Sequence, residues 1–85
     1  MTPRAYRFVL EEAAFEAFVQ LAEEERELAH SYFRWLATQP HARGQGFHND
    51  STGRPNYASL CGPFLTVHWT DHAVLEVRIV QIRLD

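Results

Sequence analysis

Residues 4–10 alternate, with Tyr6, Phe8 and Leu10 on one side and Arg7 and Val9 on the other. A period of two among aromatic and β-branched residues predicts a strand. At Glu11 the period changes: Ala14, Phe15, Phe18, Leu21 and Ala22 recur at helical spacing. Glutamates crowd the first turn, where the helix dipole favours negative charge. Glu23, Glu24 and Glu25 break the apolar stripe, which resumes at Leu28, Tyr32, Trp35 and Leu36. The break fits one long helix with a polar gap or two helices with a bend near residues 22–24. Two antiparallel helices are expected, because a single helix of about 28 residues would overhang a domain of this size. Gln39-Pro40 closes the second, since the residue before a proline is pushed out of the α region.

Residues 40–55, PHARGQGFHNDSTGRP, are rich in glycine, proline and short polar side chains, and predict an exposed loop. Strand patterning returns at 57–61. Gly62-Pro63 marks a turn, and 64–70 and 74–83 are the two best strands. A three-residue loop at 71–73 would oppose Trp69 to Leu75, Val67 to Val77 and Leu65 to Ile79. The other face would then set His68 against Glu76 and Thr66 against Arg78, separating apolar from polar. Beyond Ile79 the alternation fails, because Val80, Ile82 and Leu84 fall on the polar side, which predicts a bulge or burial of both faces. The expected fold class is α+β, of order β-αα-βββ: one domain over 1–85, with a small antiparallel sheet covered on one face by two helices.

Charge changes this picture in one respect. All eight basic residues are Arg, set against eleven acids, for a net charge of −3. Residues 11–27 hold seven Glu and one Arg, a local −6, which leaves +3 for the rest. A uniformly basic nucleic-acid binder is excluded, whereas a local arginine surface is not. No run approaches the roughly 18–20 apolar residues of a membrane helix. The N-terminus lacks the apolar stretch of a signal peptide, so no membrane contact and a cytoplasmic location are expected. Cys61 is the only cysteine, expected as a half-buried, unreactive thiol.

Of the five histidines, His41 and His48 lie seven apart in the loop, a very weak metal signal; no metal site and no cofactor are expected. His30 belongs on the outer face of the second helix and His72 at a loop tip. His68 differs: beside Glu76, its imidazolium would be favoured, as suits a general acid or a phosphate contact. Arg78, Arg54 and Arg83 can converge near it, and a guanidinium fork suits phosphate recognition. Tyr57 can stack on a base or cap the core. Trp35 and Trp69 lie on inferred apolar faces and are expected in the core. The residues alone reach as far as a possible anion-binding sheet face.

One strand, two helices and a three-stranded meander in so short a chain resemble the RelE/ParE superfamily of bacterial toxin–antitoxin toxins. The likeness is carried by the helix ending before Pro40, with Gly44 just beyond, and by Asp50-Ser51-Thr52-Gly53-Arg54 entering the sheet. The run Gly62-Pro63-Phe64-Leu65-Thr66-Val67-His68-Trp69-Thr70-Asp71 and the later Val77-Arg78-Ile79-Val80-Gln81-Ile82 look like the family's central hairpin. The resemblance implies a microbial-RNase-like fold and a cognate antitoxin as partner. It implies either an mRNA interferase acting on the ribosome and mRNA, or a ParE-type inhibitor of DNA gyrase; a catalytically inactive antitoxin-binding module is the third expectation. By position, it assigns catalysis to Arg54, His68 and Arg78, and substrate contact to Tyr57, Arg83 and Thr66.

Overall fold

The computed structural model describes residues 5–42, 46–49 and 51–84. Arg4, Gly44 and Asp50, on which parts of the expectations rest, lie outside the described residues. The elements run β1 (Arg7–Leu10), α1 (Glu12–Val19), α2 (Glu23–Thr38), β2 (Gly46–Asn49), β3 (Pro55–Cys61), β4 (Phe64–Asp71) and β5 (Glu76–Leu84).

The helical stripe divides where its polar gap predicted. Alanine at position 22 has no side-chain acceptor, but its backbone N–H donates to Glu25 Oε1 at 2.9 Å. That is the reciprocal half of a capping box, so the glutamate triplet starts α2 rather than interrupting a longer helix. Arg26 braces the corner by donating to the Leu21 carbonyl at 2.6 Å. At the far end, Gln39 and Pro40 stop α2, and the Ala42 N–H closes a turn onto the Gln39 carbonyl at 2.9 Å.

The strands form one sheet of order β1-β5-β4-β3-β2. Two expectations change here. The sheet is mixed, because β1 runs parallel to β5 while the other pairs are antiparallel. Parallel neighbours need a long crossover, and the two-helix excursion after β1 permits one. The loop at 40–55 also contributes a strand: β2 pairs Phe47 with Tyr57 and His48 with Asn56. Without this strand the outer ladder of β3 would lack a backbone partner.

The β4–β5 register is the main correction. Asp71 opposes Glu76, Thr70 opposes Val77, and His68 opposes Ile79; after an irregularity at Val67/His68, Val67 opposes Gln81 and Thr66 opposes Ile82. Four residues, 72–75, form the loop, and Leu75 adopts a left-handed φ of 58°. Relative to the expected pairing the register moves by an odd number of residues, which exchanges the faces of β4. The expected pairs Trp69–Leu75, Val67–Val77, His68–Glu76 and Thr66–Arg78 therefore do not form. The expected bulge does occur, with Val80 as the extra residue. It brings Ile82 onto the same face as Val77 and Ile79 despite the three-residue step.

That face meets the helices. Ala14, Leu21, Ala29, Phe33 and Leu36 pack with Cys61, Phe64, Val77, Ile79 and Ile82 in one buried cluster. Phe8 joins them, 5.8 Å from Phe33 between ring centroids. Burial pushes the Cys61 thiol pKa up, as an inert cysteine requires. Trp35, expected in the core, is 51% exposed and stacks on Tyr32 at 5.9 Å. Ala29, Phe33 and Leu36 take the inward stripe of α2, leaving Tyr32 and Trp35 beside it. No described helix is long and apolar enough to cross a membrane.

Because the bulge turns Ile82 inward, Ile82→Ala should destabilise the fold by about 2–4 kcal/mol. Deleting Val80, which would turn Ile82 outward, should cost at least as much. Urea unfolding of both variants checks this; a deletion that leaves the midpoint unchanged would refute the register.

Candidate functional site

Successive residues of β4 point to opposite sides of the sheet. Phe64, Thr66 and His68 face the helices, and Leu65, Val67 and Trp69 face away. Val67 is buried yet stands apart from the core cluster, in keeping with this division. On the helix-free face two arginines approach the Trp69 ring, the Arg54 guanidinium 3.7 Å from its centroid and that of Arg78 at 5.9 Å.

Carboxylates hold this group together. Trp69 Nε1–H and Arg78 Nε–H both donate to Glu11 Oε2, at 3.3 and 3.0 Å. Arg78 also donates to Glu76 Oε1 at 2.7 Å, and Arg7 donates twice to Glu76 Oε2 at 3.1 and 2.6 Å. Hydrogen bonds from Arg7 and then Arg78 hold the Glu76 carboxyl below its ordinary pKa, while its partial burial works against them. Arg78 is held more firmly protonated, first by Glu11 and then by Glu76. The partner expected for His68 thus belongs to two arginines instead.

His68 lies beneath the opposite face at 1% exposure. Its Nε2–H donates to the Ala42 carbonyl at 3.3 Å, which leaves Nδ1 buried without a hydrogen-bond partner. The tautomer follows from that bond. Desolvation lowers its pKa, against the smaller raising effect of the Ala42 carbonyl. This reverses the imidazolium expected from a Glu76 neighbour. Thr66, expected to contact substrate, is fully buried and donates to the Ser59 carbonyl at 3.3 Å.

A cleft of about 500 Å³ opens where β3 begins and β4 ends, lined among others by His41, Arg54, Tyr57, Trp69, Asp71 and His72. Two turns shape its rim. Pro40 sits at the position of the 39–42 turn that suits its fixed φ, and His41 follows it. Across the cleft, Asp71 Oδ1 accepts the Ala73 N–H at 3.0 Å, an Asx turn that presents His72. The two imidazoles stack, 5.0 Å between centroids and 19° apart in plane. The Tyr6 hydroxyl lies 2.8 Å from His72 Nδ1. His68 supports this rim from below through Ala42, and its ring is 5.9 Å from that of Tyr57.

Of the residues expected in the site, Arg54 and Tyr57 therefore line the cleft, with Arg78 beside it at Trp69. Arg83 lies near the far end of β5, opposite Leu65. Tyr6, Glu11, His41, Trp69 and His72 were not expected there. The proline turn at 40 marked a special backbone position, but no spacing in the sequence links His41 to His72. Among the described residues no group of three or more His, Cys, Asp or Glu is placed to hold a metal ion.

The fold defined by this sheet and helix pair is the one seen in RelE toxin–antitoxin complexes. A chain of the RelBE2 toxin–antitoxin complex from Mycobacterium tuberculosis superposes with a TM-score of 0.79 at 12% identity, covering 96% of this chain and 100% of that one. A chain of the archaeal RelE–RelB complex from Pyrococcus horikoshii OT3 gives 0.74 at 13% identity, covering 95% and 96%. No protein-family model and no curated protein matches the sequence.

The depressed pKa of His68 has a consequence for stability. The unfolded chain binds its proton more readily, so stability from this residue is complete above the ordinary histidine value of 6.5 and falls as pH drops below it. His68→Gln can retain a donor for Ala42 but cannot titrate. Its urea midpoint should vary less than that of the wild type between pH 7 and 5, and an unchanged slope would contradict the assignment.

Proposed function

We propose that the chain is the toxin of a type II toxin–antitoxin pair: a ribosome-associated mRNA interferase, cleaving without a metal and held inactive by a cognate antitoxin. The observation that carries this is the Arg54–Trp69–Arg78 group on the helix-free face of a RelE-like fold. The Arg54 guanidinium, stacked on the indole, offers its outer plane to a base, and its fork suits the neighbouring phosphate. Messenger RNA in the cytoplasm is a substrate of that chemistry.

RNA cleavage without a metal requires a 2′-hydroxyl to lose its proton, the phosphorane charge to be stabilised and the leaving oxygen to be protonated. Arg54 suits the second requirement, being exposed, stacked and at the cleft. Arg78 holds its orientation between Glu11 and Glu76, which offset much of its charge and make it a framing group for Trp69. Expected catalysis by His68 becomes support of the rim, since its ring faces away from the arginines. Tyr57 remains a candidate for base contact from the cleft wall.

Expression without antitoxin should arrest growth and yield translation-dependent message cleavage mapped by primer extension. Arg54→Ala should lower the cleavage rate about 10²–10³-fold. Intact messages with accumulated cleaved DNA–gyrase complexes would instead favour a ParE-type inhibitor, for which the pairing of Arg78 with two carboxylates speaks. A growth rate untouched by expression would favour an inactive antitoxin-binding module.

Glu11→Gln should tighten binding of a non-cleavable RNA about 3–10-fold by removing a competing carboxylate from the arginine face. Filter binding at fixed salt measures this. Weaker binding would show that Glu11 serves mainly to hold Trp69 and Arg78 in place.

A further inference from the structure

We infer that His41 and His72, stacked across the mouth of the cleft, are the proton-transfer pair for RNA cleavage, a role that rests on the nuclease function proposed above. That function needs a base and an acid, and neither Arg54 nor Arg78 can serve, because a guanidinium stays protonated. His68 is sealed on the other side of the sheet. His41 and His72 are the histidines that line the same cleft as Arg54 and Trp69, and both are exposed.

Their roles differ because their partners differ. As an imidazolium, His72 donates Nδ1–H to the Tyr6 oxygen and keeps Nε2–H for transfer. After Nε2 gives up its proton the Nδ1 bond persists, so Tyr6 holds the ring through the step as a positioning residue. His72 is therefore the acid and His41, in its neutral form, the base. His41 takes the 2′-hydroxyl proton, the 2′-oxygen bonds to phosphorus and the bond from phosphorus to the 5′-oxygen breaks. His72 protonates that oxygen. The products are a 2′,3′-cyclic phosphate and a 5′-hydroxyl, leaving His41 charged and His72 neutral until His41 returns its proton to water and His72 takes one from it. Arg54, 3.7 Å above Trp69 on the cleft wall, faces the charge that develops on phosphorus. The imidazoles part to admit the phosphate, each staying on its own turn.

The test uses the full chain and a translated message in a reconstituted ribosome reaction. His41→Ala and His72→Ala should each slow cleavage about 100-fold or more, with the wild-type product bearing a 2′,3′-cyclic end. Binding of the same message carrying a 2′-deoxynucleotide at the cut site should stay within about threefold, which separates chemistry from recognition. The rate of His41→Ala should lose its rise with pH on the acid side, and that of His72→Ala its fall on the alkaline side. Tyr6→Phe should alter the alkaline side alone. Wild-type rates in both histidine variants, or a loss of binding that matches the loss of rate, would overturn the pair while leaving the nuclease function standing. Intact message with the wild-type chain would remove that function and the pair together.

Discussion

The hydrogen-bond register between β4 and β5 is the constraint from which the rest follows. One extra residue, Val80, lets Val77, Ile79 and Ile82 share a face that a strict two-residue repeat would divide. Burying a side chain of that size contributes about 1.5–3 kcal/mol, so the ladder irregularity is offset by the inward turn of Ile82. The same register sends His68 under the helices and Trp69 to the other side. Core and candidate site are thus two outcomes of one pairing, and neither can shift alone.

Glu11 joins the two layers. It is the last residue before α1, and its backbone N–H bonds to the Ile79 carbonyl at 2.9 Å. Its carboxylate reaches the opposite face, where it receives Trp69 and Arg78. The acidity of the helical segment is therefore not wholly segregated from the arginines. Most of its glutamates are exposed on α1 and the start of α2, while this one crosses to balance an arginine. Arg7 is largely exposed while Glu76 is buried, so the pairing serves to give the Glu76 carboxylate a partner and hold it in position for Arg78.

Much of the fold was legible in local pattern. The strand before Glu11, the division of the helices, the stop at Pro40, the turn at Gly62 and the bulge near Val80 each depend on neighbours within a few residues. What was missed depends on distant partners. Parallel pairing of β1 leaves no mark on its own alternation, and β2 is a short polar stretch that becomes a strand only where β3 offers it a ladder. The hairpin register differs from the expected one because both faces of β4 are plausible: Leu65, Val67 and Trp69 are the more apolar set, yet Phe64, Thr66 and His68 are the set that faces the helices and is sealed from solvent. In the site, arginine chemistry was foreseeable from residue type, as Arg54 and Arg78 show. The meeting of Tyr6, His41 and His72 was not, since the residue before β1 and two separate connections converge there.

The parallel placement of β1 beside β5 also governs the order of assembly. The Arg7–Glu76 contact joins residues 69 positions apart, and β1 has no other described strand to pair with. Contacts so distant along the chain slow folding, because a long loop must close before they form. During synthesis, the first strand emerges well before its partner exists. The helices can form early from local signals, but the sheet edge they cover is completed only when the last strand arrives, and with it the carboxylate that orients Arg78. A nascent chain therefore cannot assemble the arginine face until Glu76–Leu84 has left the ribosome.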